Sequence, residues 1–88
     1  MKSPNDIILA RIDREISRAE TDADNAIRYA ANDLRTANAA DATIRTKRGD
    51  IRNAIARLME AANAIETSIA LSEARQTITS VTDFAATK

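Results

Sequence analysis

Residues 51–69 read IRNAIARLMEAANAIETSI and place an apolar side chain at every third or fourth position. Gaps that alternate between four and three keep one edge of an α-helix apolar along its length, as in a heptad repeat. This stripe therefore predicts a helix that packs lengthwise against another helix, without saying which one. Its members are Ile51, Ile55, Leu58, Ala62, Ile65 and Ile69.

The composition around this stripe indicates a helical chain with a thin core. Apolar residues make up 44% of the 88 residues, but 19 residues are Ala, the best helix former. Leu, Ile, Val and Phe together number only 17. With one Pro, one Gly and no alternating apolar and polar runs, the sequence lacks the usual signals for strands and tight turns. We expect an all-α protein.

The N-terminal segment predicts a first helix over about residues 4–38. Ser3 is suited to cap this helix, Pro4 fits its first position, and Asp6 places negative charge at the positive end of the helix dipole. Its apolar stripe has two successive gaps of four between Ala19 and Ile27, which predicts a local stutter in the supercoil. The stripe comprises Leu9, Ile12, Ile16, Ala19, Ala23, Ile27, Ala30, Leu34 and Ala37.

Between the two stripes, the sequence is compatible with three arrangements. In the first, which we favour, helix one ends near Asn38 and Asp41 caps helix two, so that the turn lies at about residues 39–41. In the second, helix one continues until Gly49 ends it in the left-handed conformation, and the turn lies at residues 49–50. In the third, the chain is one rod more than ~100 Å long, because the apolar spacing continues without interruption.

Helix two is expected over about residues 42–71, followed by a weak C-terminal helix or tail over residues 72–88. The apolar spacing shifts by two residues after Ile69, and the Thr- and Ser-rich segment beyond it is a poor helix former. The single domain, residues 1–88, would then be a long antiparallel helical hairpin, coiled-coil-like, with an Ala-rich seam.

A hairpin with so much Ala in its seam buries little apolar area. We therefore expect two copies to dimerise into a four-helix bundle. The predicted oligomer seam takes its members from both stripes: Leu9, Ile12, Ile16, Ala19, Ala23, Ile27, Ala30, Leu34, Ile51, Ile55, Leu58, Ala62, Ile65 and Ile69.

Cys and His are absent and Gly occurs once, so the chain lacks the residue types that most catalytic and metal-binding sites use. The chain offers no thiol or imidazole as nucleophile, base or metal ligand, and no Gly-rich loop for phosphate. Asp22 and Asp24 resemble the start of a calcium loop, but Ala26 and Ile27 stand where a ligand and Gly are required. We expect no enzymatic activity, no cofactor and no metal site.

Few surface residues suit contact with a partner. Arg45, Arg48 and Arg52 share one helical face, yet the net charge of the chain is zero and no aromatic residue is interleaved for base stacking. Tyr29 and Met59 flank the apolar stripes and suit a protein contact. These five residues form the predicted partner-binding set.

These features favour a non-enzymatic helical interaction module, acting as a small scaffold, an assembly factor, or an inhibitor or regulator of another protein. Plain chains of this size include regulators from compact genomes, phages among them. The expected partners are a second copy and another protein, ahead of nucleic acid bound by a dimer through its basic patch. A third alternative is a structural component ordered only in a larger assembly such as a virion.

Because no membrane-spanning segment or signal peptide is evident, we expect no membrane partner and a cytoplasmic location.

Overall fold

The protein folds as two long helices. The structure, a computed structural model, describes the backbone of residues 3–86 and the side chains of residues 3–81. Helix α1 spans Pro4–Ala37 and helix α2 spans Ile44–Ala86, with no strand among the described residues. The prediction of an all-α fold is confirmed.

Two side-chain contacts between the helices show that they run antiparallel. Arg75 Nε lies 2.6 Å from Asp13 Oδ1, and the Arg57 guanidinium lies 5.1 Å from the centre of the Tyr29 ring. Residues early in α1 therefore lie beside residues late in α2. The hairpin is a rod of 68 × 20 × 13 Å with a radius of gyration of 19.7 Å, against about 12 Å for a compact domain of this length.

The start of α1 is fixed by reciprocal bonds between side chains and backbone. The Asp6 N–H donates to Ser3 Oγ at 3.2 Å, and the Ser3 N–H donates to Asp6 Oδ2 at 3.4 Å. Pro4 follows as the first helical residue, where its missing N–H costs nothing. The capping role predicted for Ser3 is confirmed, and Asp6 adds a hydrogen bond to its favourable charge.

The chain reverses over residues 38–43, as in the first of the three predicted arrangements. Gly49 lies inside α2, and no described residue has a positive φ, so the turn at residues 49–50 is wrong. The uninterrupted rod is also wrong. Asn38 ends α1 with an ordinary negative φ of −89°, and its N–H donates to the carbonyls of the last helical turn.

The residue that caps α2 is Thr43, and the prediction of Asp41 as the cap is wrong. The Thr46 N–H donates to Thr43 Oγ1 at 3.1 Å, and the Thr43 N–H donates to Thr46 Oγ1 at 2.9 Å. Two threonines thus make the reciprocal arrangement that Ser and Asp make at α1. This pairing starts α2 two residues later than expected.

Helix α2 continues through Ala86 without the break predicted near residue 72. The Thr77 hydroxyl donates to the Glu73 carbonyl at 3.1 Å, so this hydroxyl has its hydrogen-bond partner within the helix. Contact with α1 also supports the segment, since Leu71, Arg75 and Ile78 are half-buried and Arg75 pairs with Asp13. The side chains of residues 82–86, and residues 87–88 of the predicted tail, lie outside the described part.

Helix α1 turns a strict heptad face towards α2. The buried and half-buried positions include Ala26 and Asp33, whereas Ile27 and Leu34, assigned to the predicted stripe, are exposed. Gaps of three and four then alternate without interruption, so the predicted stutter is absent. This face comprises Leu9, Ile12, Ile16, Ala19, Ala23, Ala26, Ala30, Asp33 and Ala37.

Helix α2 meets α1 with a face that is rich in small residues at its centre. Ala54 and Ala61 are buried, and Ala64, Ser68 and Leu71 are half-buried at the same heptad spacing. We call this face, together with the face of α1 just described, the inner seam. The stripe of residues 51–69 lies beside the inner seam and remains largely exposed.

Candidate interaction surface

One side of the hairpin is lined by large aliphatic side chains that no other part of the described chain covers. Their exposed fractions lie between 44% and 54%. We call this surface the apolar flank. Its members are Ile27, Leu34, Ile51, Ile55, Leu58, Ile65 and Ile69.

The position of these residues in the heptad explains why they lie together. Ile27 and Leu34 each follow a residue of the inner seam on α1, and Ile51, Leu58 and Ile65 occupy the equivalent position on α2. In an antiparallel pair, equivalent flanking positions of the two helices meet on the same side of the seam. The remaining members, Ile55 and Ile69, follow the inner-seam residues Ala54 and Ser68 and are more exposed.

Two grooves between the helices show directly that α1 and α2 both contribute to the apolar flank. Ile27 lines one groove together with Ile65 and Ile69. Leu34 and Ile51 line another groove nearer the turn. At both places the apolar flank therefore crosses from one helix to the other. Its length over residues 51–69 of α2 is about 27 Å at 1.5 Å per residue.

Charge is distributed unequally along the rod. Residues 28–57, the half that contains the turn, carry seven basic and three acidic side chains, a net charge of +4. Residues 3–27 and 58–81, the half that contains the open end, carry four basic and nine acidic side chains, a net charge of −5. Because α1 and α2 are antiparallel, one plane across the rod separates the two halves.

The opposite side of the hairpin is polar, and we call it the polar flank. It contains an open groove of about 430 Å³ in which Arg57 reaches across the inner seam to the Tyr29 ring. Arg57 also lies 3.8 Å from Glu60 in an exposed ion pair. The groove is lined by Asp22, Asn25, Ala26, Tyr29, Arg57, Glu60, Asn63 and Ala64.

The structure does not gather the five predicted partner-binding residues into one site. Tyr29 lies on the polar flank. Arg45, Arg48 and Arg52 are exposed near the turn, beside the apolar flank, and no ion pair involves them among the described side chains. Met59 is 63% exposed on the outer face of α2.

The predicted oligomer seam is divided by the structure between two surfaces. Its α1 members from Leu9 to Ala23, with Ala30, lie in the inner seam, whereas Ile27, Leu34 and the large residues of α2 form the apolar flank. Sequence reasoning missed Ala26 and Asp33 because larger side chains stood one position away. A count of strict seven-residue spacing from Ile12 would have found them.

Comparison with protein-family models, curated proteins and solved structures finds no match to this chain. No helix in the described part of the chain is long and apolar enough to cross a membrane.

Proposed function

We propose that this chain is a non-enzymatic interaction module, a small helical scaffold that assembles by pairing its apolar flank with that of a second copy. The product is a bundle of four long helices with both polar flanks on the outside. The exposed apolar flank is the observation that carries the proposal. Tyr29 and Arg57 on the polar flank are the surface offered to another protein, since aromatic and Arg side chains are favoured anchors.

The core within one hairpin supports the need for a partner. Every fully buried residue in the described part is Ala, and no large side chain is fully buried. Burial of a methyl-sized group contributes about 0.8 kcal/mol, against about 1.5 to 3 kcal/mol for a whole Leu or Ile side chain. Seven large aliphatic side chains lie on the apolar flank instead, where a second copy would remove them from water.

The exposed surface area also fits a pairing of two copies. The chain exposes 6999 Å², whereas a compact folded monomer of 9.6 kDa exposes about 5,100 Å². The excess of about 1,900 Å² is more than twice the area of about 800 Å² that each partner buries in a standard interface. A two-helix hairpin has enough surface to form such an interface without losing its own packing.

A charge placed on the apolar flank tests the pairing. Leu58→Glu puts a carboxylate in the middle of the flank, so we expect sedimentation equilibrium to show a dimer for the native protein and a monomer for the variant. Asn53→Glu adds the same charge on the polar flank of the same helix and should remain dimeric. A native protein that sediments as a stable, cooperatively folded monomer would contradict the proposal.

The second candidate function is nucleic-acid binding through Arg45, Arg48 and Arg52. The observation that favours it is that these three guanidinium groups lie near one end of the rod without a paired carboxylate among the described side chains. Such a contact depends on phosphate neutralisation and weakens steeply with salt. Affinity capture from cell lysate with and without nuclease separates the candidates: a retained protein that survives nuclease favours the module, and nuclease-sensitive material favours nucleic acid.

A further inference from the structure

We infer that the second copy packs on the apolar flank in antiparallel orientation, with the basic turn half of each protomer beside the acidic open half of the other. The inference rests on the proposed self-association and specifies its geometry. The contact is formed by α2 against the partner's α2 and by α1 against the partner's α1. The twofold axis passes between residues 58 and 62 of α2.

The spacing of the apolar flank on α2 is the same in both directions. The gaps between its positions, with Ala62 included, are four, three, four, three and four. When the stripe is reversed about its midpoint, Ile51 faces the partner's Ile69 and Ile55 faces the partner's Ile65. Leu58 faces the partner's Ala62, a large residue opposite a small one, which suits close packing. Every apolar position of the α2 stripe thus meets an apolar position.

The same reversal brings opposite charges together at the edges of the flank. It places Arg48 within one residue of the level of the partner's Glu73, and Arg52 within two residues of the level of the partner's Glu66, along α2. On α1, it places Arg28 at the level of the partner's Asp24. The net charges of +4 and −5 on the two halves of each rod then face each other as well. Opposite charges across an interface favour one register and one orientation over others.

The parallel alternative places like charges together. A twofold axis along the rod would lay α1 on the partner's α2 with both turns at the same end. Arg35 would then lie at the level of the partner's Arg52, because α1 residue 35 and α2 residue 52 are opposite each other in the hairpin. The two halves with a net charge of +4 would also be adjacent. Such like-charge contacts disfavour this orientation.

Engineered cysteines test the orientation, because the native chain contains no Cys. The reversal that pairs Ile51 with Ile69 also places Arg48 opposite the partner's Ser72. We expect the double variant Arg48→Cys/Ser72→Cys to form a covalent dimer on oxidation, and neither single variant to do so. A bond within one chain is excluded, since the two positions are about 36 Å apart along α2.

Charge exchange gives a second measurement that leaves the apolar residues intact. Arg48→Glu and Glu73→Arg should each weaken the dimer in sedimentation equilibrium, and the double variant should recover affinity because the pair is restored with reversed sign. A double cysteine variant that dimerises without becoming cross-linked, or a double charge variant that is weaker than both singles, would overturn the antiparallel arrangement. A native protein that does not dimerise would instead overturn the proposed function itself.

Discussion

Single residues decide where the helices of this protein start, and one of them weakens α2. Ser3 and Thr43 begin α1 and α2 through reciprocal bonds with Asp6 and Thr46. Gly49 lies inside α2 in ordinary helical conformation, although Gly loses more conformational freedom on folding than any other residue. A Cβ added at Gly49 would meet no atom within 4 Å, so the position has room for a larger residue.

Gly49→Ala should therefore stabilise the protein. We expect the free energy of unfolding to rise by about 0.5 to 1 kcal/mol and the melting temperature to rise by several degrees in a thermal melt followed by circular dichroism. Ala70→Gly, at an exposed position of the same helix, is the matched control and should lower the melting temperature by a similar amount. A lower melting temperature for Gly49→Ala would contradict the helical conformation of Gly49.

At the scale of the helices, the pairing of α1 and α2 depends on small side chains in the inner seam. Ala30 and Ala54 are each only 1% exposed. Alanine permits close approach of helices that bulkier residues would hold apart. The bulkier residues next to the inner seam consequently lie on the apolar flank, so the same close approach that forms the hairpin leaves that flank exposed.

Ala54→Leu tests this dependence on small residues. The added side chain has no space between α1 and α2, and we expect a loss of about 1 to 3 kcal/mol in the free energy of unfolding, measured by urea denaturation. Ala70→Leu introduces the same residue at an exposed position and should change stability little, because Leu and Ala have similar helix propensities. Equal effects of the two substitutions would show that Ala54 is not closely packed.

For the whole molecule, the unequal distribution of charge along the rod matters more than the net charge of zero. The turn half and the open half carry +4 and −5 over the described residues. A chain with no net charge can still attract a second copy strongly in one orientation and repel it in another. The effect depends on the ionic strength, because exposed charges are screened by salt.

The antiparallel dimer should therefore weaken as salt is added. Between about 0.01 M and about 1 M salt, the screening length falls from about 30 Å to about 3 Å, and we expect the dissociation constant to rise several-fold in sedimentation equilibrium. The double variant Arg48→Gln/Glu73→Gln lacks one of the opposing pairs and should show a smaller rise. A dimer that tightens with salt would contradict the antiparallel orientation, because screening strengthens a dimer only where like charges face each other.

The parts of the fold that could be predicted are those that depend on residues close in sequence. The N-cap at Ser3 and the all-helical class follow from local hydrogen bonding and helix propensity. The cap at Thr43 was missed because Asp ranks above Thr as a capping residue, so local preference favours Asp41. The continuation of α2 past residue 72 was missed because its stability comes from α1 rather than from the segment itself.

The candidate site could be predicted only in part. The spacing of residues 51–69 predicts a stripe that packs against another helix, whereas in the structure α2 turns this stripe away from α1. Ile27 and Leu34 were assigned to the seam because they are larger than Ala26 and Asp33. Periodicity alone does not distinguish a face buried within the hairpin from the neighbouring face, since both have the same spacing.

The sequence by itself determined that the chain is helical, where α1 starts and that apolar residues recur at heptad spacing, because these properties arise from contacts within a few residues. The tertiary structure alone decided which of two adjacent faces each helix buries. Two antiparallel helices approach most closely through their smallest side chains, and this geometry places Ala in the middle of the inner seam and the large aliphatic residues beside it on one flank. It also joins distant segments into a basic half and an acidic half of one rod.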